Sequence, residues 1–320
     1  MSGLSDAAVR RLRDAADAPD VSGTQYEIVE RVGQGGMGTV YRAHDRELGR
    51  DVALKVVRLP AMSADVAARM LREARTLAQL EHPGIVPVHD VGTLADGRAF
   101  YAMKLVRGSP LDALPASPLA HRLTIVERMC EAVAFAHAHG VIHRDLKPQN
   151  VMVGPFGEVL VMDWGVAKLA AGGAETLGST ASAGIPQHAS PTTDHGVVLG
   201  TPGYMAPEQA SGNSGLIDAR ADVYAIGAIL RDLAQGDAEQ PRPLRAIIEK
   251  AMAAQPDTRY ADVMSLARDV AAFRAGDPVS VYRENVFERL RRFAVRYSTP
   301  ILLVLAYLIM RVTFLAIVGR

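Results

Sequence analysis

The order of the predicted secondary structure is the feature that most constrains the fold of this 320-residue chain. Strand-like runs separated by glycine-rich and charged turns come first, with one helical pattern among them at residues 62–80. The predicted strands are Tyr26–Val32, Thr39–His44, Val52–Val57, Val86–Val91 and Ala99–Lys104. Further helices are predicted at 118–139, 218–235, 243–254 and 261–274. This segregation predicts an α+β protein with a sheet-rich first block and a helical second block.

Composition and charge narrow the classes of function. Lys and Arg number 35 and Asp and Glu number 35, so the formal net charge is zero and no nucleic-acid partner is expected. Cys130 is the only cysteine, so neither an internal disulfide nor a four-thiolate zinc site can form, which fits a reducing compartment. Its apolar helical surroundings predict a core residue rather than a reactive thiol.

A glycine-rich turn separates the first two predicted strands. Its GxGxxGxV pattern runs from Gly33 to Val40 and includes Gly35, Gly36 and Gly38. Glycines let a backbone close over phosphate groups because no side chain stands in the way. The pattern alone also suits an ordinary hairpin. Its place between two strands, rather than at the start of a helix, argues against a dinucleotide site of the Rossmann type.

Lys55 lies within the otherwise apolar strand Val52–Val57. Two interpretations are open: an edge lysine whose charged end reaches solvent, or a cation directed at a phosphate group. The second requires a partner, because an unpaired buried ammonium is strongly unfavourable. Glu73 is the candidate, since it shares one helical stripe with Val66, Met70, Leu77 and Leu80.

The strongest chemical signal is a polar octet that runs from His143 to Asn150 with the sequence HRDLKPQN. Asp145 can accept a hydroxyl proton, Lys147 can neutralise a transferring phosphoryl group, and Asn150 can bind a metal ion. Phosphoryl transfer requires mainly positioning and charge stabilisation, and these side chains supply both. Asp163 follows an apolar run and offers a carboxylate suited to Mg²⁺. The alternative is a polar loop with a chance Asp and Lys.

Taken in order, these motifs resemble those of eukaryotic-type (Hanks-type) serine/threonine protein kinases found in bacteria. The resemblance covers roughly residues 26–275. The signatures that carry it are the glycine run, Val52–Lys55, the octet, Asp163-Trp164-Gly165 and Gly200–Glu208. It implies a bilobal protein-kinase fold with ATP between the lobes. An N-terminal antiparallel β-sheet with one helix would occupy 26–106, and a mainly α-helical lobe would occupy 107–275.

The resemblance implies roles for individual residues. Asp145 is expected to be the catalytic base, assisted by Lys147. Asn150 and Asp163 are expected to hold Mg²⁺, with Mn²⁺ as an alternative. The positions that match the family's nucleotide site are Val32, Gly33, Gly35, Gly36, Gly38, Val40, Ala53, Lys55, Glu73, Met103 and Leu105. Within that site, Lys55 would hold the α and β phosphates of ATP and pair with Glu73.

The resemblance also implies supporting contacts. Arg259 is placed to pair with Glu208, and Asp222 would brace the backbone around His143 and Arg144. Lys147 and Thr201 match the serine/threonine class, so the expected substrates are proteins phosphorylated on Ser or Thr.

Arg144, next to Asp145, suggests control by phosphorylation of the following loop. We expect autophosphorylation there, in trans within a homodimer. The candidate hydroxyls are Thr176, Ser179, Thr180, Ser182, Ser190, Thr192 and Thr193.

The chain departs from the family pattern in three places. Trp164 stands where the family has phenylalanine, and 44 residues separate Asp163 from Glu208. The segment 235–243 is shorter than the family's usual connection, which predicts a reduced or missing substrate-docking surface.

The two ends of the chain are predicted separately. Residues 1–25 are expected to be a flexible arm, and 276–298 a basic juxtamembrane segment. The apolar residues at 299–319 predict a transmembrane helix, hence a single-pass inner-membrane protein with a cytoplasmic kinase domain. The alternative is a cytoplasmic protein. Its terminal helix would then either dock on the kinase or lie at a dimer interface. Arg311 is the difficulty for a membrane span.

Two rival functions share the same motifs. A pseudokinase would bind and regulate without chemistry, but it would be expected to lack one of Lys55, Glu73, Asp145, Asn150 and Asp163, and all five are present. A small-molecule kinase of related fold is the second rival. The Gly200–Glu208 segment and Arg259 favour a protein substrate.

Overall fold

The computed structural model describes residues 18–35, 38–57, 74–164, 203–211, 217–235 and 240–318. Within these ranges the chain has the predicted two-block organisation, with an antiparallel sheet first and a mainly helical lobe after it. The fold is that of a protein kinase, as the sequence predicted.

A five-stranded antiparallel sheet forms the first lobe, in the order β1-β2-β3-β5-β4. Its strands are β1 (Tyr26–Gly35), β2 (Gly38–Asp45), β3 (Arg50–Val57), β4 (Val88–Thr93) and β5 (Ala99–Lys104). β3 is apolar on both faces because each face is covered. Leu54 packs with Tyr41 and Phe100 on one side, while Ala53 and Val57 pack toward the second lobe on the other. Lys55 shares the second face, since side chains alternate along a strand.

The second lobe is built from helices packed around one large core. Its helices are α1 (Leu119–Ala138), α2 (Pro207–Ala210), α3 (Arg220–Leu233), α4 (Arg242–Ala251) and α5 (Val263–Ala275). Three short strands, β6 (Ser109–Pro110), β7 (Val151–Val153) and β8 (Val159–Val161), form a small sheet beside α1. Leu123, Met129, Ile226, Ile247 and Leu266 are among the fully buried side chains that hold these elements together.

The bounds of most predicted elements differ from the structure by up to three residues, and two differences concern more than an end. β4 begins at Val88 rather than Val86, because Ile85 and Val86 pair with Val161 of the second lobe instead of with the first sheet. Of the helix predicted at 62–80, residues 74–78 are helical, and 62–73 lie outside the described ranges.

The last residues of the predicted N-terminal arm lie against the sheet. Val21 packs on the Tyr26–Phe100 side, and Arg98 donates a hydrogen bond to the Ala18 carbonyl at 3.0 Å. The packed part of the chain therefore begins before Tyr26, while residues 1–17 lie outside the described ranges.

Two helices follow the kinase lobe, α6 (Val286–Arg296) and α7 (Ser298–Val318). The prediction of a transmembrane helix at 299–319 is not supported. Although α7 forms there, none of the helices in the described ranges combines the length and apolarity needed to cross a membrane. Arg311 opposes insertion, since an arginine at a bilayer centre costs about 2.5–3.5 kcal/mol.

Candidate active site

The octet forms a compact loop between α1 and β7. The Lys147 ammonium lies 3.3 Å from a carboxylate oxygen of Asp145. The side-chain amide of Asn150 donates a hydrogen bond of 2.8 Å to the Asp145 carbonyl. Because this bond uses the amide N–H, the Asn150 amide oxygen is the atom suited to a metal ion. The three octet residues predicted from sequence are therefore neighbours in space.

Asp222, in the first turn of α3, holds this loop through hydrogen bonds to its backbone. Its carboxylate accepts hydrogen bonds from the backbone N–H groups of His143 and Arg144 at 2.8 and 2.9 Å. The His137 ring nitrogen lies 2.7 Å from the same carboxylate. Burial pushes the pKa of Asp222 upward, but the hydrogen bond and charge of His137, together with His143, outweigh it and lower that pKa. The predicted brace is thus a buried carboxylate with three partners.

Backbone strain accompanies this brace. Arg144 has φ 64° and Asp163 has φ 54°, and among the described residues they are the only non-glycine residues with positive φ. Each such conformation costs about 1–2 kcal/mol and persists where neighbours enforce it. Asp222 fixes the N–H of Arg144, and Gln209 donates to its carbonyl at 2.9 Å.

A second charged pair joins the two lobes. The Lys55 ammonium lies 2.5 Å from a carboxylate oxygen of Asp163. Burial disfavours the charged form of Lys55, but the Tyr101 hydroxyl and the Asp163 carboxylate favour it more strongly and raise its pKa. Asp163 follows Met162, whose N–H donates to the Asn150 carbonyl at 2.8 Å. This chain of contacts brings Lys55 and Asp163 to the same cleft as the octet.

Trp164 fits the position where the family has phenylalanine. It is buried, its indole N–H donates to the Val161 carbonyl at 3.2 Å, and its ring centroid lies 4.8 Å from that of His143. The other side of His143 is fixed by a 2.8 Å contact between its ring nitrogen and the Met162 carbonyl. Burial lowers the pKa of His143, so the ring is held neutral between its partners.

Four of the apolar residues predicted for the nucleotide site lie in one cluster between the lobes. Ala53 and Met103 are opposite each other in the β3–β5 register, and Val40 and Leu105 pack nearby. Val32 differs, because its side chain is 58% exposed. Sequence analysis missed the residues that the second lobe adds to this cluster, which are Met152, Leu160 and Met162. The signal was present in the short apolar runs of β7 and β8, whose alternation sends these side chains away from the α1 core.

The glycines of the run that the structure describes lie where β1 pairs with β2. Gly33 is paired with Val40, and Gly35 with Gly38. A Cβ at Gly38 would collide with the Val56 carbonyl oxygen of β3, so this position requires glycine. Gly36, Glu73, Gly165, Thr201 and the seven loop hydroxyls lie outside the described ranges.

The Glu208–Arg259 contact predicted from sequence is present. The two terminal guanidinium nitrogens of Arg259 each donate to one carboxylate oxygen of Glu208 at 2.7 Å, and the guanidinium carbon lies 5.0 Å from the centre of the Tyr224 ring. A bidentate pair of this kind fixes orientation as well as distance. Arg259 also contacts Arg220 and Tyr224, so the pair ties the segment 203–211 to the first turns of α3.

The donor set fits Mg²⁺ bound together with phosphates. Within the described ranges no group of three or more His, Cys, Asp or Glu side chains is placed to hold a metal ion. Asp163 and Asn150 nevertheless offer oxygen ligands, and Mg²⁺ commonly uses one or two protein oxygens with substrate phosphates and water. Asp163 and Asn150 are therefore residues that could hold Mg²⁺ together with nucleotide phosphates and water.

Comparison with known proteins gives consistent relatives. The protein kinase domain family matches residues 26–268. The chain is 42% identical over 218 residues to the DNA damage-responsive serine/threonine-protein kinase RqkA of Deinococcus radiodurans, covering 66% of this chain and 30% of that protein. It is 34% identical over 285 residues to PknA of Mycobacterium tuberculosis, covering 79% of this chain and 62% of that protein.

Solved structures agree. The crystal structure of the Mycobacterium tuberculosis PknI kinase domain aligns with a TM-score of 0.57 at 28% identity, covering 79% of this chain and 98% of that domain. The chain spans about a third of the length of relatives such as RqkA and the Chlamydia trachomatis kinase PknD, which it matches over 30% and 34% of their lengths. It belongs to the protein kinase domain family, among the Hanks-type serine/threonine kinases of bacteria.

Proposed function

We propose that this chain transfers the γ-phosphate of ATP to serine or threonine hydroxyls of protein substrates, through a kinase domain at residues 26–275. The observation that carries the proposal is the convergence of two charged pairs, Asp145 with Lys147 and Lys55 with Asp163, on one cleft. Phosphoryl transfer needs positive charge around the moving group and a carboxylate at the attacking hydroxyl, and these pairs supply both.

In the proposed mechanism, Asp145 accepts a hydrogen bond from the substrate hydroxyl and orients its oxygen toward the phosphorus. As the bond between the hydroxyl oxygen and the γ-phosphorus forms, the bond between that phosphorus and the oxygen bridging it to the β-phosphate breaks and ADP leaves. The hydroxyl proton passes to the Asp145 carboxylate. Lys147 shares that carboxylate at 3.3 Å and offers its charge to the phosphoryl oxygens. Lys55, on the first lobe, holds the α and β phosphates. The apolar cluster around Ala53 and Met103 takes the adenine.

Asp163 and Asn150 are the residues that would hold Mg²⁺ or Mn²⁺ with the nucleotide. A divalent ion at that place would neutralise charge that develops on the phosphates. The Asp163 side chain is one-third exposed while it is paired with Lys55, so part of its carboxylate remains open to a further ligand.

A protein rather than a small molecule is the proposed substrate. The Glu208–Arg259 pair fixes a segment whose Gln209 bonds to the Arg144 carbonyl beside Asp145, and this arrangement supports a protein substrate. Autophosphorylation of the 170–198 segment in trans, within a homodimer, is part of the same proposal. It rests on the hydroxyl-rich sequence there and on Arg144 beside Asp145.

Radiolabelled ATP with Mg²⁺ tests the proposal, using the full chain, Asp145→Asn and Glu249→Gln. Glu249 is an exposed carboxylate on α4, so the control removes the same charge away from the cleft. We expect the wild type and the control to incorporate phosphate and Asp145→Asn to fall at least about 100-fold. Equal, near-background incorporation in all three would overturn the catalytic proposal.

Mixing the active chain with Asp145→Asn and mapping phosphopeptides tests the autophosphorylation. We expect label on the inactive chain within residues 170–198. Active protein with this segment unmodified would refute that part while leaving substrate phosphorylation intact.

A further inference from the structure

Helix α6 turns its charged side toward the helical lobe and its apolar side away from it. Glu288 and Arg292 are half-buried, whereas the apolar side chains of this region are 44–83% exposed. We call these side chains the α6 stripe: Val286, Phe287, Leu290, Phe293 and Tyr297. Four of them, at spacings of three and four residues, lie on one face of the helix.

Polar contacts hold α6 in this orientation. Glu288 accepts a 2.9 Å hydrogen bond from the Tyr282 hydroxyl and lies 3.9 Å from Arg242 at the start of α4. Arg296 pairs with Asp277, which follows α5. The inward face is therefore tied to the lobe at both ends of the helix.

This arrangement is the reverse of the usual one. A surface helix normally places its apolar stripe on the core, as α5 does with Leu266 and Val270. Exposing the α6 stripe to water is unfavourable, and an exposed apolar face of this kind marks an interaction surface.

Charge decides which partner fits. Residues 283–297 contain five arginines and two glutamates, a net charge of +3. A second copy would bring the same positive charge against this face, and like charges oppose pairing. An anionic lipid surface complements both the apolar stripe and the arginines, of which Arg283 and Arg289 are exposed beside it.

The aromatic content fits the same partner. The Phe293 and Tyr297 rings lie 4.6 Å apart and are 56% and 44% exposed, and aromatic rings favour the boundary between lipid and water. Directly after Tyr297, α7 extends the apolar surface with exposed residues such as Leu302 and Leu303.

We propose that the α6 stripe docks the kinase lobe on an anionic lipid surface, with α6 lying along the boundary between headgroups and acyl chains. This surface is separate from the cleft between the lobes and does not depend on the proposed catalysis.

Vesicle flotation of the full chain tests the proposal, with phosphatidylcholine vesicles alone or containing about one third phosphatidylglycerol. The apolar variant is Leu290→Asp/Phe293→Asp, and the charge variant is Arg283→Gln/Arg289→Gln. The matched control is Phe156→Asp, which removes a 93% exposed phenylalanine from the β7–β8 turn. Thermal denaturation of each variant shows that the kinase lobe is folded.

We expect the wild type and Phe156→Asp to bind the anionic vesicles at least about tenfold more strongly than the neutral ones. The apolar variant should lose about tenfold in binding to anionic vesicles, and the charge variant should lose most of the preference for anionic lipid. Equal binding of wild type and apolar variant would overturn the proposal, because α7 alone would then carry the binding. A second outcome would also overturn it: no binding to vesicles, together with a dimer that the Leu290→Asp/Phe293→Asp variant fails to form. The stripe would then be a protein interface.

Discussion

Two carboxylates organise the active site, and they are held in opposite ways. Asp222 is 1% exposed and has three hydrogen-bond partners, all within the second lobe. Asp163 is one-third exposed, and among the described residues its ion pair is with Lys55 of the other lobe. The catalytic loop is therefore fixed within a single packed body, whereas the phosphate-binding side depends on how the two lobes approach each other.

The largest expected effect comes from breaking the buried anchor with Asp222→Asn. An amide cannot accept from all three donors. Its NH2 group would face either the Arg144 N–H at one oxygen position or the His143 N–H and the His137 ring at the other. We expect the free energy of unfolding to fall by about 3 kcal/mol and phosphorylation activity to be lost with it. Urea denaturation and radiolabelled-ATP assays measure the two effects.

Asp232→Asn is the matched control on the same helix. Asp232 also accepts a hydrogen bond, from the Tyr204 hydroxyl at 2.6 Å, but its side chain is about one-third exposed. We expect a loss below about 1 kcal/mol. Similar losses for both variants would show that burial does not distinguish the two carboxylates.

Breaking the cross-lobe pair with Lys55→Met should separate activity from stability. The chain loses a phosphate-binding charge, so we expect activity to fall about 100- to 1,000-fold. The free energy of unfolding should change by less than about 1 kcal/mol, because methionine fills a similar volume and Asp163 remains hydrated. Lys104→Met, at an exposed end of β5, should leave both quantities unchanged. A large loss of stability for Lys55→Met would mean that the lobes depend on this pair to pack.

The smallest expected effect concerns His143, which contacts Asp222 directly and Asp163 through the neighbouring residue Met162. Its backbone N–H bonds to Asp222 and its ring contacts the carbonyl of Met162, next to Asp163. Burial lowers its pKa below the ordinary 6.5, so the unfolded chain takes up a proton first as the pH falls. Stability from the neutral ring is thus complete above about pH 6.5 and is lost progressively below it.

Urea unfolding at about pH 7.5 and pH 5.5 measures this dependence. His143→Gln should unfold more readily at both values and lose less stability between them. The lowered pKa of Asp222 acts in the same direction, but only below its ordinary value of 3.8, so it does not contribute in this range. An unchanged slope in the variant would assign the dependence to another group.

Sequence reasoning succeeded where a residue's environment is local. The apolar strand around Lys55 left two interpretations open, and the structure supports the cation directed into the cleft, because the ammonium is buried and paired with Asp163. The octet predicted the neighbours Asp145, Lys147 and Asn150. It was less reliable for apolar runs that serve two lobes. Ile85 and Val86 are as strand-like as their successors, but they bridge to Val161 instead of joining β4. Only the packing of the two lobes decides whether such a run joins the first sheet or pairs with the second lobe.

The orientation of α6 shows a different limit. Periodicity predicts that a helix has an apolar face, but it does not say which face meets the protein. Here the polar partners of α6 lie outside the helix, at Arg242, Asp277 and Tyr282. Their contacts hold the charged face, rather than the apolar face, against the protein. The apolar run at 299–319 likewise predicted a span that α7 does not support.

Trp164 gives the protein its own optical probe. It is the only tryptophan in the chain, and it adjoins the metal-binding candidate Asp163. Its indole is buried against His143 and bonded to Val161, so any rearrangement of this corner changes the polarity around the ring. Emission excited selectively at tryptophan therefore reports on the active-site corner alone, without an attached dye and without background from another indole.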